Sequence, residues 1–483
     1  MRKAGVLLHI SSLPNEYGIG TLGKEAYKFV DYLKKSGQTY WQMLPINPTS
    51  YGDSPYQSPS VFAGNPYFIS LEELVKDGLL VKEDLKVLKG DDPRHVDYAK
   101  IFNIKLGLLE KAYANHHLVE EEFRAFCLEN KDWLEDYAVF MALKKEHENK
   151  PFNDWYDDFK FKVWHAMDWF KSQYANLIDQ YRFMQFLFYN QFTKLRQYAN
   201  KNGVLLIGDM PIYCAYDSCD VWSHPEYFEV DSNYRQINVA GCPPDAFSDD
   251  GQLWGNPLYR YDLMKKDGYS WWIRRINQMG KIFDIVRIDH FRGFAGYYSI
   301  PAGSINAKNG HWVDGPRYDL FKAIKKATEV SIIAENLGFL TPDVYKLLRQ
   351  CKYPGMVIFQ FELPKLTKGF KENNVIYSGT HDNKTILSFY NELSDKDKKF
   401  VNEVCGISFA DRPNLKIIEF CMNQACDTCI IPLQDYLGSA DSDGRMNTPS
   451  VASGNWSWRA TKGDLSEDLS NYMLKITKES GRL

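Results

Sequence analysis

At 483 residues the chain is longer than most single domains, and its formal net charge of −4 with no long basic run argues against nucleic acid as the main partner. No stretch approaches the roughly 20 apolar residues of a membrane span. The short apolar run at the start leads into Ser11-Ser12-Leu13-Pro14 without a small-residue cleavage site, so a soluble cytoplasmic protein with no membrane partner is expected.

In chain order, residues 5–9 read as a first short strand, followed by a Gly-rich turn. An amphipathic helix then carries Ala26, Phe29, Val30 and Leu33 on one face and closes at Gly37. Residues 40–44 make a second strand, and strand–helix–strand signals a parallel sheet. Residues 47–67 lose all periodicity and read as a long ordered loop around Tyr51-Gly-Asp-Ser-Pro-Tyr56. From there to about residue 198 the pattern is helical and charged, which predicts a mostly helical insertion over 46–180 after the second strand. Residues 204–209 form a third strand ending in Asp209, followed by an irregular insertion and lid loop over 214–270. The later strands fall at 284–289, 331–335, 356–361, 375–379 and 428–433. Helices are expected from Thr341-Pro342 to about Gln350 and over 413–425, with a closing helix after Trp458. Eight short strands with helices between them count out an α/β fold, a (β/α)8 TIM barrel spanning 1–483 as a single catalytic domain. No C-terminal β-sandwich domain is expected.

Nine scattered cysteines, an odd number, suggest reduced thiols. Cys426-Asp-Thr-Cys429 has no second pair of matching spacing and reads as two buried thiols leading into a strand.

The fourth strand carries the strongest chemical signal. Its period of two sends Arg287 and Asp289 to one side of the sheet. A cation there would hold the aspartate ionised and oriented, as a carboxylate nucleophile requires, although a structural ion pair has the same pattern. Asp209, Asp289, Glu335 and Asp382 all lie at strand ends, the side of a barrel that bears the active site. Four carboxylates on one rim repel each other, so arginine and histidine partners or a metal must compensate. Two chemistries fit: displacement at a glycosidic bond by a nucleophile and a proton donor, or a divalent metal held by carboxylates. Arg287 beside Asp289 disfavours the metal, and aromatics at 15% favour stacking on sugar rings.

Arg287-Ile-Asp-His-Phe-Arg-Gly-Phe294, Ile333-Ala-Glu-Asn-Leu-Gly338 and Ser378-Gly-Thr-His-Asp-Asn383 resemble the three catalytic motifs of the amylomaltases, the 4-α-glucanotransferases of glycoside hydrolase family 77. The likeness extends to His9-Ile-Ser-Ser-Leu-Pro14, Gly208-Asp-Met-Pro-Ile-Tyr213, Gly251-Gln-Leu-Trp-Gly-Asn-Pro257 and Arg445-Met-Asn-Thr-Pro449. The resemblance implies Asp289 as nucleophile and Glu335 as acid and base, about 5–5.5 Å apart, with Glu335 the weaker acid. It implies Asp382 with His381 as the pair gripping the distorted sugar, and Asp209 and Arg287 in the same shell. Ser54, Tyr56, Gln252, Trp254 and Asn447 match sugar-contact positions, each of which could instead brace its loop. Phe247 and Trp254 would cover the acceptor side. Maltooligosaccharides and α-1,4-glucan, with glucose as acceptor, are the implied substrates; no cofactor, no metal and a monomer or homodimer are expected. Asn336 stands where the family usually has aspartate, Ala246 replaces a common aromatic, and Ser450 follows Asn-Thr-Pro where glycine is common. The rivals are a retaining α-glucan hydrolase on the same barrel and a sugar-binding protein that has lost catalysis.

Overall fold

A computed structural model describes residues 2–89, 92–244, 249–451 and 453–483. Its strands are β1 (Lys3–Leu7), β2 (Tyr40–Gln42), β3 (Leu205–Met210), β4 (Asn238–Cys242), β5 (Gln252–Pro257) and β6 (Ile285–Ile288). They continue with β7 (Gly296–Pro301), β8 (His311–Asp314), β9 (Ser331–Ala334), β10 (Gly355–Ile358), β11 (Asn374–Tyr377) and β12 (Thr428–Pro432). Eight of these form one sheet in the order β10-β11-β12-β1-β2-β3-β6-β9, with every pairing parallel. The sheet curls into a TIM barrel until β9 meets β10, where the Ala334 N–H donates to the Pro354 carbonyl at 2.9 Å. The eight strands expected from the sequence are these eight.

The barrel strands are nearly continuous apolar runs because helices cover the outside while side chains fill the inside. The helix Lys24–Lys35 buries Ala26, Phe29, Val30 and Leu33, and Phe29 meets the Trp41 ring edge-on at 4.9 Å. Each such side chain contributes about 1.5–3 kcal/mol of burial. Gly208 in β3 is required by close approach: a Cβ there would lie 2.2 Å from the Phe283 ring, which crosses beneath it to start β6.

Between β2 and β3 the chain is helical, ending in the long helix Ala175–Lys201. Arg196 of that helix holds Asp284 through Nε at 3.0 Å and Nη2 at 2.9 Å. Asp284 also accepts the Leu206 N–H at 2.8 Å, so one carboxylate ties the helix to the lower ends of β3 and β6.

The segment expected to be an irregular insertion after the third barrel strand is partly a sheet. β4 pairs antiparallel with β5 and with β7, and β8 completes the order β5-β4-β7-β8. Its own small core is Val239, Tyr298, Ile300 and Ala307. β7 and β8 follow β6 in sequence, so residues on both sides of the fourth barrel strand build this second sheet. β5 runs Gln-Leu-Trp-Gly-Asn-Pro without alternation and is stabilised by its neighbours, which is why sequence alone gave no strand there. After β12 the described residues form short helices, loops and the helix Glu467–Glu479. All nine cysteines are free thiols, and Cys426 and Cys429 are buried as expected.

Candidate active site

Asp209 and Arg287 are direct register partners on β3 and β6. The Arg287 guanidinium donates to Asp209 Oδ1, and the same Nη1 lies 3.1 Å from Asp289 Oδ1. Asp209 is fully buried, and its other oxygen accepts the Tyr56 hydroxyl at 2.7 Å. One cation thus serves two carboxylates. A lone buried charge would be costly, and removing Arg287 would leave Asp209 with the Tyr56 hydroxyl but no cation.

The surroundings of Asp289 correct one expectation. Burial, then the Glu335 and Asp209 charges, push Asp289 up to about 7, against the opposite pull of Arg287 and His381. Arg287 alone does not keep this carboxyl in the ordinary range. The proton belongs to a group of interacting acids and not to one side chain.

Glu335 follows β9 as Asp289 follows β6, and the last paired residues of those strands, Ile288 and Ala334, face each other. The two acids therefore leave adjacent strands at the same level, and adjacent strands lie about 4.8 Å apart. Retaining glycosidases need their two carboxyls about 5–5.5 Å apart. Glu335 Oε2 accepts the His290 N–H at 2.5 Å and Oε1 accepts the Leu337 N–H at 3.0 Å. Its backbone donates to the Ile288 carbonyl at 3.0 Å and accepts from the Phe291 N–H at 3.0 Å, which fixes the carboxyl against β6. His290 can present its N–H this way because it adopts the left-handed conformation, with φ 46°.

Opposite them, after β11, His381 Nε2 lies 3.4 Å from Asp382 Oδ2. Asn447 Nδ2 donates to Asp382 Oδ1 at 2.6 Å. Burial opposes the charge on Asp382, but His381 and Asn447 outweigh it and bring the carboxyl down to about 2. Burial likewise disfavours a charged His381, yet Asp382 raises its pKa above the usual histidine value. Every rim carboxylate is thereby compensated: Asp209 and Asp289 by Arg287, Asp382 by His381 and Asn447, and Glu335 by backbone N–H groups.

The remaining expected residues join this network. Tyr56 stacks on His381 with ring centres 5.1 Å apart, so one of its faces is already covered. Ser54 Oγ accepts the Tyr56 N–H at 3.3 Å and braces the loop. Trp254, on β5, meets His290 edge-on at 4.8 Å, and its Nε1 donates to Gln252 Oε1 at 3.0 Å. Phe247 and Ala246 lie outside the described residues. Three contributors were given no role from sequence, although Arg445 opens one of the motifs quoted above. Trp456 packs 5.8 Å from both Tyr56 and His381, Arg445 donates to the Asp382 carbonyl at 3.3 Å, and Met356 Sδ lies 3.4 Å from Arg287 Nε. Trp456 adopts φ 64° beside Gly454-Asn455, a turn signal that could have marked it.

Comparison with known proteins shows the family of the chain. Residues 8–465 match the profile of the family described as 4-alpha-glucanotransferase. The chain is 44% identical over 491 aligned positions to the 4-alpha-glucanotransferase of Streptococcus pneumoniae, covering 99% of this chain and 96% of that one. It is 41% identical to the 4-alpha-glucanotransferase of Clostridium butyricum, covering 98% of this chain and 100% of the relative. Among solved structures, the amylomaltase of Streptococcus agalactiae in complex with acarbose superposes with a TM-score of 0.97 at 37% identity over 100% of both chains. Full-length similarity in sequence and in fold shows that this chain belongs to the 4-alpha-glucanotransferase family and is an enzyme of the transglycosidase type.

Proposed function

We propose that the chain moves α-1,4-glucan segments from a donor to the 4-hydroxyl of glucose or a maltooligosaccharide by a retaining double displacement. Asp289 attacks the anomeric carbon while Glu335 protonates the leaving oxygen. Glu335 then deprotonates the incoming hydroxyl, which attacks the glucosyl–Asp289 ester and releases the carboxylate. Asp382 and His381 hold hydroxyls of the distorted sugar. Asp209, Arg287 and Tyr56 orient the nucleophile, while Ser54, Gln252, Trp254 and Asn447 line the glucan path. The helical segment 46–180 and the insertion 214–270 wall the cleft of one catalytic barrel. The observation that carries this reading is the level placement of Asp289 and Glu335 on neighbouring strands, one against a guanidinium and one gripped by backbone N–H groups.

Incubation with maltotriose is expected to give glucose and a ladder of longer chains with total reducing ends unchanged. A rise in reducing ends would identify a hydrolase instead. Asp289→Asn is expected to cut turnover by about three orders of magnitude or more, while acarbose, which the Streptococcus agalactiae relative holds, still binds. Full turnover in that variant would remove Asp289 as nucleophile.

A further inference from the structure

The barrel closes unevenly, and the acid sits at the uneven place. β9 and β10 are the two ends of the hydrogen-bonded order, and Ala334 donates across them to Pro354. In a parallel ladder the same residue would accept the next N–H, that of Met356, on its carbonyl. Here the Met356 N–H donates at 2.6 Å to Asn336 Oδ1. Gly355 permits this approach, since a Cβ there would lie 2.7 Å from Asn336 Oδ1 and 3.0 Å from its Nδ2. The four hydrogen bonds that hold Glu335 run to Ile288, His290, Phe291 and Leu337, none of them on β10. On the far side, Met356 Sδ touches Arg287 Nε, and Arg287 holds Asp289.

We propose that Asn336 is a positioning residue for the proton donor: its amide oxygen replaces the Ala334 carbonyl in the seam, so that Glu335 leans onto β6 while Met356 stays seated against Arg287. The inference rests on Glu335 being the acid. A neutral amide fits here because Glu335 already shares the site with ionisable groups of β6, the Arg287 guanidinium and the Asp289 carboxyl. A carboxylate in the same place would keep the acceptor but add a negative charge, and a like charge nearby favours the protonated form of a carboxyl.

The test compares single-turnover cleavage of maltotriose with that of an α-maltosyl fluoride, whose leaving group needs no proton. Asn336→Ala and Gly355→Ala are expected to lose about tenfold or more on maltotriose and no more than about twofold on the fluoride, with little change in KM. Asn336→Asp is expected to move both limbs of the pH profile to higher pH. Equal losses of Asn336→Ala on both donors, no loss on either, or unmoved limbs in Asn336→Asp would overturn the proposal. Glu335→Gln is measured alongside. If it loses equally on both donors, Glu335 is not the acid. If it shows the donor split and Asn336→Ala does not, only the role of Asn336 falls.

Discussion

Asp289 carries its unusual titration because of what surrounds it, and those surroundings can be edited one charge at a time. After burial, the Glu335 charge is one of the forces that hold a proton on Asp289. Removing that charge must lower the pH at which Asp289 ionises. The acid limb of single-turnover cleavage of a glycosyl fluoride is therefore expected to lie at lower pH in Glu335→Gln than in the wild type. A limb that stays in place would show that the two acids do not interact. At this scale much was legible from sequence, because Asp209, Arg287 and Asp289 end strands whose period of two fixes where side chains point. Less legible was how Arg287 divides itself between two carboxylates. That depends on register between strands far apart in the chain, and burial together with the Glu335 and Asp209 charges reverses the net shift expected for Asp289. Met356 and Trp456 were invisible for the same reason: packing across the barrel, not residue type, brings them to the site.

The second sheet shows what pattern reading misses at the scale of elements. β4 and β5 precede the fourth barrel strand, β7 and β8 follow it, and none of the four has enough apolar alternation to announce itself. Their stability comes from pairing with each other around Val239, Tyr298, Ile300 and Ala307. Ile300 is fully buried there, so Ile300→Ala is expected to cost about 2–5 kcal/mol locally. Because β5 carries Trp254 and Gln252, loosening this sheet should, on the proposed mechanism, admit water to the glucosyl intermediate. The expected result is a raised ratio of hydrolysis to transfer on maltotriose, read as new reducing ends, with the barrel's own unfolding transition little changed. An unaltered ratio would separate the sheet from the acceptor side. Three helices, by contrast, were legible to within a few residues: Lys24–Lys35, Pro342–Cys351 and Pro413–Asn423 follow the apolar spacing and the proline starts, while Ser270–Ile282 and Arg317–Ala327 were not read from sequence.

For the molecule as a whole, buried histidines set a limit on the acid side. Burial, and for His9 the neighbouring His381, lowers its pKa to about 3. Burial, and then Arg292, does the same for His290. In the unfolded chain each takes up a proton near pH 6.5. Between those values the unfolded state binds more protons, so stability falls as pH drops from about 6.5 towards 3, by about 1.4 kcal/mol per pH unit for each histidine. His9→Gln removes one titrating group. It is expected to gain on the wild type as pH falls from 7 to 4.5, measured by urea midpoints at both values. Parallel curves would show that His9 protonates freely in the fold.

Cylinders built from parallel strands owe their durability to having no loose edge, and this one is fastened at a single line by one backbone bond and one borrowed amide oxygen. β1 and β12 share a ladder of five residue pairs, whereas the line beside Glu335 has far less to hold it. Deuterium should therefore enter the amides flanking that line before it enters the β1–β12 ladder. On the proposed mechanism, the line where the cylinder has fewest strand-to-strand hydrogen bonds is also where a leaving oxygen receives its proton.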